Sequence, residues 1–579
     1  YNAGGGLTTG DSNVAIGYQA LMTEDEHSNN VAVGASALQT QNAGAHAYNT
    51  AVGFEAGKAN TTGIYNTAVG ANTLLANTTG GYNTAVGMQA LKANTTANNN
   101  IAMGYNSLQA NTTGAANVAL GKDALYSNTT ASNNVAIGLD ALQANTTGHS
   151  AVAVGYGALA SHTTDTGSVA IGYNALTTHT NADGAYNVAV GYAALDANTD
   201  GHSNVGIGKN ALGANTTADN NTAVGTNALA ANTTGTENVA VGTGALTANT
   251  TGSYNHAFGK NAGAAITTGD TNIAIGNAAL GTATTATGNT AVGHSALTAN
   301  TTGASNVAVG LNSMDATTTG ATNTAVGAES LGANTTGSDN TALGEASLSA
   351  NTTGGTNTAV GAEALQANTT ASNNVAVGYA AMVTNTTGTQ NVAMGRSALE
   401  ANTTASYNTG LGYGALAANT TGEVQVAVGV NSLLANTTGT QNTAVGGNAM
   451  YANTTGGDNV AVGHNALDAN TTASYNTAVG KDALTANTTG HSNTAVGSLA
   501  LKAATTVSYN TAVGQQALEA NTNNYNSALG WSALEANTTG QFNTALGAEA
   551  MRSHTTGSNN TALGYAALDA STTGGDNTA

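Results

Sequence analysis

Apolar and polar residues alternate within a short sequence segment that repeats along the whole chain. The copy from Asn476 to Ser492 reads N-T-A-V-G-K-D-A-L-T-A-N-T-T-G-H-S, and Asn493 begins it again. The glycine of the A-V-G triplet recurs with a constant 17-residue spacing from Gly53 to Gly172. A fixed short period of this kind predicts a repeat architecture in which each copy forms one coil of a stack.

The alternation within one copy predicts two short strands. Positions 1 to 17 of the repeat are counted here from Asn476. The T-A-V triplet at positions 2 to 4 predicts a strand with Thr477 and Val479 facing the core and Ala478 facing outward. The A-L-x-A segment predicts a second strand with Leu484 facing the core. Glycine at position 5 and N-T-T-G at positions 12 to 15 predict the turns.

A helical repeat does not fit this text, because Gly, Asn and Thr recur in every period and no stripe of 3.6-residue spacing exists. The predicted fold class is therefore all-β: a parallel β-solenoid, or β-roll, in which each 17-residue repeat forms one coil. The 33 A-V-G-type glycines predict about 33 coils. At about 4.8 Å per coil these form an elongated rod on the order of 160 Å long.

No linker and no shift in composition interrupt the repeats, so residues 1–579 are predicted to form a single continuous array. Residues 1–48 hold the less regular copies. The chain has no initial Met and begins and ends inside a repeat. We therefore expect it to be an internal fragment of a longer chain.

Composition excludes several function classes. The chain has 9 basic and 29 acidic residues and a net charge of −20, which disfavours nucleic acid, because that partner requires phosphate neutralisation by Lys and Arg. The absence of Cys excludes disulfides and thiolate metal sites. The chain contains no apolar run of about 18 residues, so no membrane span is predicted.

Candidate chemistry is sparse. The 11 His residues occupy scattered repeat positions, so no recurring metal-ligand set and no cofactor site is predicted. The acidic turn formed by Glu24, Asp25, Glu26 and His27 is a candidate for holding a cation, although a solvated turn is the favoured interpretation. No carboxylate pair stands out from the repeat, and we predict no catalytic residues and no enzyme.

Two positions are small where solvent would tolerate any size. Position 3 is Ala or Gly throughout, and position 8 is almost always Ala or Ser. We predict that they form an exposed stripe where another copy of the chain approaches closely; the alternative is a narrow coil in which these residues point inward. The candidates for this lateral interface include Ala85, Ala90, Ala342, Ser347, Ala478 and Ala483.

Asparagine recurs at two positions. Asn at position 1 predicts a side-chain ladder along the stack or a left-handed turn. Asn at position 12 belongs to N-T-T, which matches the N-glycosylation pattern, although Asn-Thr-Thr-Gly is also good turn chemistry. The possible glycan acceptors include Asn77, Asn94, Asn111 and Asn487. Adjacent Thr residues at positions 13 and 14 point to opposite faces, so only one row can face outward.

The motifs N-V-A-I-G and N-T-A-V-G, followed by A-L and a glycine turn, resemble the head repeats of trimeric autotransporter adhesins. They are similar also to repeat arrays of bacteriophage tail-fibre-like and bacterial surface proteins. The resemblance covers essentially the whole chain, with a coil lengthened by the N-T-T segment. It implies left-handed parallel β-rolls, a homotrimer, exposure on a cell surface, and attachment to host matrix or to other cells.

The expected function is structural: an extracellular or cell-surface fibre or adhesin-like rod that presents a repetitive surface. The expected partners are further copies of the chain, in a homotrimer or filament bundle, and glycans or proteins of a host or matrix. One alternative is the shaft of a phage tail fibre, exposed on a virion. Another is a carbohydrate- or ice-binding solenoid that uses the Thr, Asn and Tyr rows.

Overall fold

A computed structural model describes residues 1–24, 26, 28–44, 46–164, 166–180 and 185–579. The chain divides into two compact units, Tyr1–Asn289 and Thr290–Ala579. Within each unit, every coil contributes one strand of three residues. The 17-residue spacing continues from Gly276 to Gly293 across the division. That the whole chain forms one uninterrupted array stays a prediction.

The strands of the first unit all occupy positions 2 to 4 of their repeats. They are β1 (Val14–Ile16), β2 (Val31–Val33), β3 (Thr50–Val52), β4 (Thr67–Val69), β5 (Thr84–Val86), β6 (Ile101–Met103), β7 (Val118–Leu120), β8 (Val135–Ile137), β9 (Val152–Val154), β10 (Val169–Ile171), β11 (Val188–Val190), β12 (Val205–Ile207), β13 (Thr222–Val224), β14 (Val239–Val241), β15 (His256–Phe258) and β16 (Ile273–Ile275).

The strands of the second unit occupy the same positions. They are β17 (Thr290–Val292), β18 (Val307–Val309), β19 (Thr324–Val326), β20 (Thr341–Leu343), β21 (Thr358–Val360), β22 (Val375–Val377), β23 (Val392–Met394), β24 (Thr409–Leu411), β25 (Val426–Val428), β26 (Thr443–Val445), β27 (Val460–Val462), β28 (Thr477–Val479), β29 (Thr494–Val496), β30 (Thr511–Val513), β31 (Ser527–Leu529), β32 (Thr544–Leu546) and β33 (Thr561–Leu563).

Successive strands within a unit pair in parallel, and each residue pairs with the residue at its own repeat position. Thr477, for example, pairs with Thr494, and Val479 pairs with Val496. The described residues form no helix. The predicted all-β parallel solenoid, with about 17 residues in each coil, is confirmed. The coils from Val31 to Thr50 and from Val169 to Val188 take 19 residues, and the coil from Thr511 to Ser527 takes 16.

The second predicted strand is wrong. The A-L-x-A segment forms a tight turn, in which positions 7 and 9 adopt left-handed backbone conformations, with φ of 55° at Asp482 and 49° at Leu484. Two left-handed residues so close together curl the chain and exclude an extended strand. The segment still bonds to the next coil, because the Leu484 N–H donates to the Ala500 carbonyl at 3.0 Å.

The inward and outward faces of the remaining strand are the reverse of the prediction. Ala478 is fully buried, together with Leu484, whereas Thr477 and Val479 are partly exposed. The interior is too narrow for a larger side chain: a methyl group at Gly206, which occupies position 3, would lie 3.2 Å from Cγ of Leu195. Position 3 is therefore small because it abuts the leucine of the preceding coil.

The predicted lateral stripe fails for the same reason. All six candidates are buried within a single chain. The hydroxyl of Ser347 donates to the Gly344 carbonyl inside its own coil at 2.8 Å. The prediction of an exposed small-residue interface is wrong, and the inward alternative describes the structure. The six residues are Ala85, Ala90, Ala342, Ser347, Ala478 and Ala483.

Asparagine forms two ladders in the interior. At position 12, Nδ2 of Asn368 donates to Oδ1 of Asn351 in the preceding coil at 2.9 Å and to the Ala371 carbonyl at 3.0 Å. At position 1, the backbone N–H of Asn357 donates to Oδ1 of Asn340 at 3.0 Å. Asn357 Nδ2 reaches the same Ala371 carbonyl at 2.8 Å. The position 1 ladder predicted from the sequence is confirmed, and position 12 adds a second ladder beside it.

The four proposed glycan acceptors belong to the position 12 ladder. Their side chains are buried, and the Nδ2 that would carry a glycan already donates hydrogen bonds, at 2.7 Å from Asn77 to Asn60 and at 3.0 Å from Asn487 to Asn470. N-glycosylation in the folded coil is therefore excluded at these sites, and the prediction is wrong. The acceptors concerned are Asn77, Asn94, Asn111 and Asn487.

The position 12 ladder ends wherever the next coil lacks asparagine. Among the described residues, the buried Oδ1 atoms of Asn249 and Asn487 have no hydrogen-bond partner. The residues one coil further on at position 12 are Ile266 and Ala504, which have no donor to offer. A buried polar atom left without a partner typically costs about 1 to 3 kcal/mol, so each gap is a local weakness.

We expect Ala504→Asn to stabilise its coil by about 1 kcal/mol, because the new amide supplies a donor to Asn487 Oδ1. Amide hydrogen exchange of the flanking coils measures this locally, and that free energy corresponds to roughly fivefold slower exchange. As a control, Ala503→Asn lies outside the ladder. A stabilisation as large at Ala503 would contradict the assignment.

Candidate functional site

The outward side chains at positions 2 and 4 of every strand form two parallel rows, called here the strand face. In β6, Ile101 and Met103 are about two-fifths exposed, and the central Ala102 is buried. Because paired strands are in register, residues of the same position lie one above another at about 4.8 Å spacing. The strand face is therefore regular within each unit and is composed almost entirely of Thr, Val, Ile, Leu and Met.

The exposed apolar residues of the chain concentrate around this face. Among the described residues, the large exposed apolar side chains stand almost entirely at positions 17, 2, 4 and 6, with Tyr126 and Tyr451 at position 10 as exceptions. Those on the strand face itself are Val14, Ile16, Val52, Ile101, Met103, Ile137, Ile171, Ile207, Phe258, Ile273, Ile275, Leu343, Met394, Val426, Val460, Leu529, Leu546 and Leu563.

The strand face is hollowed in the second unit. A depression of about 270 Å³ crosses β30 to β32, and its lining includes Thr511, Val513, Leu529, Thr544 and Leu546. None of the 33 strands contains an acidic residue, and His256 is the one titratable side chain in them. The face therefore combines apolar side chains, regular spacing and the absence of negative charge.

The threonine rows at positions 13 and 14 lie outside the strand face. The position 13 hydroxyl donates to a carbonyl of the next coil, as from Thr454 to Thr471 at 2.9 Å. The neighbouring Thr455 at position 14 is exposed. Only one of the two Thr rows faces outward, as predicted, so the turn offers a single line of solvated threonines.

Tyrosine residues in consecutive coils stack on the surface. Tyr48, Tyr65 and Tyr82 occupy position 17 and form one stack, with ring centroids 5.2 and 5.0 Å apart. A second stack at position 17 contains Tyr509, Tyr525 and Phe542, and a third at position 6 contains Tyr156, Tyr173 and Tyr192. The sequence shows two clusters of Tyr. Which rings contact each other is known only once the repeat positions of adjacent coils are aligned.

Basic residues occur only at positions 6 and 10. Two of them lie over tyrosine rings: Lys209 Nζ is 5.9 Å from the Tyr192 centroid, and the guanidinium of Arg396 is 5.7 Å from the Tyr379 centroid. The ion pairs are largely solvated, as between Arg552 Nε and Glu535 at 3.2 Å, and such pairs contribute little to stability. The basic side chains therefore lie beside the strand face, and their ion pairs contribute little to the stability of the coil.

A second depression follows positions 10 and 11. Its volume is about 590 Å³, and its lining pairs the small residues Ala503 and Ala520 with the charged residues Lys502, Glu519 and Glu535. Lys502 and Glu519 form an ion pair across it at 3.6 Å. Glu535 likewise pairs with Arg552 beside the depression at 3.2 Å, so no charged group of the lining is left to select an anion or a cation.

Three carboxyl groups at position 10 have shifted pKa values. Partial burial raises the pKa of Asp196, Asp315 and Asp468, and Glu329 adds to the rise at Asp315. Asp315 and Glu329 line a small depression of about 230 Å³. Desolvation of carboxyls at one repeated position explains these shifts without a catalytic role. The absence of enzyme activity stays a prediction.

Among the described residues, no metal-ligand cluster and no membrane-spanning helix is found. Within the described ranges, no group of three or more His, Cys, Asp or Glu side chains is arranged to hold a metal ion. No helix among the described residues has the length and hydropathy needed to cross a membrane. Of the acidic turn considered for a cation, Asp25 and His27 lie outside the described residues.

Comparisons with protein-family models and with curated proteins found no match for this chain. The resemblance to the head repeats of trimeric autotransporter adhesins and to tail-fibre repeats therefore stays a prediction from the motifs. The structure establishes the coarser statement, that the chain consists of parallel β-solenoid coils of about 17 residues, and that the strands of each unit present an outward face rich in apolar side chains.

Proposed function

We propose that this chain is a structural, fibre-forming or adhesin-like region of an extracellular or cell-surface protein, and that copies of it associate side by side through the strand face. The observation that carries the proposal is the concentration of exposed apolar side chains at positions 17, 2, 4 and 6. The lateral contact proposed here therefore uses the outward residues at positions 2 and 4, and not the small residues at positions 3 and 8.

The size of the face supports a partner. Seventeen coils at about 4.8 Å give the strand face of the second unit a length of about 80 Å, and a width of about 10 Å gives roughly 800 Å². Position 2 is mostly Thr in this unit, so the apolar part of the area is the position 4 row with the flanking apolar residues, roughly a few hundred Å². Exposed apolar patches of about this size on monomers often mark interaction sites. About 800 Å² is also what one partner contributes to a protein interface of standard size.

The chemistry of the face favours a second copy as the partner. A net charge of −20 would hold copies apart, but the acidic residues lie outside all 33 strands. A second copy presents rows with the same spacing along the stack, so that its side chains can interdigitate over many coils. The homotrimer implied by the adhesin resemblance is one such assembly, and a filament bundle or a phage tail-fibre shaft is another.

The carbohydrate- and ice-binding alternatives rest on weaker features. The turn exposes one row of Thr, and the strand face pairs Thr at position 2 with an aliphatic residue at position 4. We therefore expect neither thermal hysteresis nor binding to a glycan array from the isolated chain. Thermal hysteresis would favour ice binding, and glycan binding would favour a lectin-like adhesin.

We expect glutamate on the strand face to dissociate the assembly. Three substitutions in consecutive coils place carboxylates where burial against a partner would leave them unpaired, at a cost of several kcal/mol each. A hundredfold or greater weakening of association is expected, measured by light scattering and sedimentation. The variant combines Val326→Glu, Leu343→Glu and Val360→Glu.

A matched control puts the same charge in the same unit but outside the strand face, at the exposed position 14. The control variant should associate as the unmodified chain does. A monodisperse monomer of the unmodified chain at micromolar concentration would refute the proposal, and equal dissociation of both variants would show a net-charge effect. The control combines Thr336→Glu, Thr353→Glu and Thr370→Glu.

A further inference from the structure

The tyrosine stacks place phenol rings of consecutive coils in contact at the surface. Tyr48 and Tyr65 lie 5.2 Å apart between ring centroids with planes 3° apart, and Tyr65 and Tyr82 lie 5.0 Å apart at 19°. All three side chains are about half exposed. The rings are therefore held close together and remain accessible to a reagent in solution.

We propose that these stacks are sites of oxidative cross-linking, at which dityrosine joins consecutive coils of one chain. The oxidant required is a peroxidase with hydrogen peroxide. Each phenol loses one electron and its hydroxyl proton, and the two phenoxyl radicals form one carbon–carbon bond between the ring positions ortho to oxygen. The two ring hydrogens then move to the oxygens and restore both phenols, and hydrogen peroxide is reduced to two molecules of water.

Proximity selects the stacked pairs over other tyrosines. Coupling requires two radicals to meet, and residues already in contact react with a high effective concentration. Tyr65 has a tyrosine at the same position in both adjacent coils, whereas Tyr475 is flanked by Asp458 and Ser492. Tyr475 is at least as exposed but has no stacked partner of its own type.

The cross-link would supply what the composition lacks. The chain contains no Cys, so no disulfide can connect its coils. A bond from Tyr65 to Tyr82 closes a loop of one repeat and restricts the unfolded state, as a disulfide does. The inference does not depend on side-by-side association, because both rings belong to one chain.

The test is oxidation of the full chain by a haem peroxidase and hydrogen peroxide, in an equal mixture of isotopically heavy and light protein. Peptide mapping by mass spectrometry should find dityrosine between Tyr48 and Tyr65 and between Tyr65 and Tyr82, with both halves carrying the same isotope label. Tyr65→Phe should abolish both links, because a phenyl ring keeps the stack but cannot couple. The third stack, Tyr156 to Tyr192, should still cross-link in that variant.

The matched control is Tyr475→Phe, which should leave the yield and the positions of dityrosine unchanged. Absence of same-label dityrosine in the stacks would overturn the proposal. So would links at Tyr475 as frequent as those at Tyr65, since proximity along the stack would then not select the site. Mixed-label links as frequent as same-label links would overturn the proposal too, because random pairing between chains in an equal mixture gives half of each.

Discussion

Gly361→Ala is expected to disrupt stacking at its coil, with a local loss of about 3 to 5 kcal/mol. The φ of Gly361 is 130°, which disfavours every residue with a side chain. A methyl group there would lie 2.6 Å from both the carbonyl carbon and the carbonyl oxygen of Gly378 in the next coil. Backbone strain and a clash with rigid backbone each contribute about 1 to 3 kcal/mol.

The loss should be measured locally, because long repeat arrays need not unfold in one cooperative step. Amide hydrogen exchange in the coils around Gly361 and Gly378 should accelerate by about two to four orders of magnitude. Limited proteolysis should open the same coils. Exchange unchanged at these coils would contradict the steric role of the position 5 glycine.

Gly447→Ala is the matched control in the same unit. Gly447 stands at position 6, its φ lies outside the positive range, and the nearest atom to an added methyl is Cδ2 of His464 at 3.5 Å. We expect no destabilisation and a gain of up to about 1 kcal/mol, because alanine restricts the unfolded chain. A destabilisation as large as that of Gly361→Ala would show that any glycine in this text is irreplaceable.

The sequence predicted the period and the strand but not which face of the strand is inside. Alternation in T-A-V shows that Thr477 and Val479 share a face and that Ala478 lies on the other. The alternation does not show which of the two faces is inside. That depends on the width of the coil and on where Leu484 packs. The persistent small size of position 3 was the available signal, and it reports a tight interior and not an external contact.

The A-L-x-A segment at positions 8 to 11 was predicted as a strand from its alternation, and leucine rarely adopts the positive φ that a turn there requires. Packing overrides that preference, since Leu484 is fully buried with a φ of 49°. A signal did exist at position 7, where Asn, Asp and Gly are frequent, as in Asp482 and Gly244. These residues tolerate a left-handed backbone, and their repetition at one position indicates a fixed turn.

The inward direction of the asparagine in the N-T-T-G segment could not be predicted from the motif. Its glycosylation pattern and its turn propensity are both properties of the sequence, but neither reveals that the asparagine points inward. Two ladders converge on one carbonyl at position 15, as Asn476 and Asn487 both donate to Gly490 at 2.8 and 2.9 Å. That convergence depends on residues from two different parts of the coil, so no single motif contains it.

Two natural coils exchange positions 9 and 12 together. In one of them, position 9 is Gly263 where leucine is usual, and position 12 is Ile266 where asparagine is usual. An added methyl at Gly263 would lie 3.1 Å from Cδ1 of Ile266. The isoleucine therefore occupies space that leucine fills in other coils. The same exchange brings Leu7 against Gly4, with 2.9 Å from an added methyl to Cδ1.

Asn368→Ile alone is therefore expected to destabilise its coil by about 3 to 5 kcal/mol. The substitution removes the donor to Asn351 Oδ1, a loss of about 1 to 3 kcal/mol, and crowds the coil that already contains Leu365, a further loss of about 1 to 3 kcal/mol. Hydrogen exchange in the adjacent coils measures the effect. Gln366→Leu is the control two residues away, at a position where Leu434 occurs naturally, and it should change stability by less than about 0.5 kcal/mol.

The double variant Leu365→Gly with Asn368→Ile separates the two causes, because it reproduces the natural pair Gly263 and Ile266 in another coil. Crowding should be relieved and the unpaired Asn351 Oδ1 should remain, so the expected loss falls to about 1 to 3 kcal/mol. A double variant no more stable than Asn368→Ile would show that Ile266 does not occupy the leucine space. A double variant as stable as the unmodified chain would show that the ladder hydrogen bond contributes nothing to its coil.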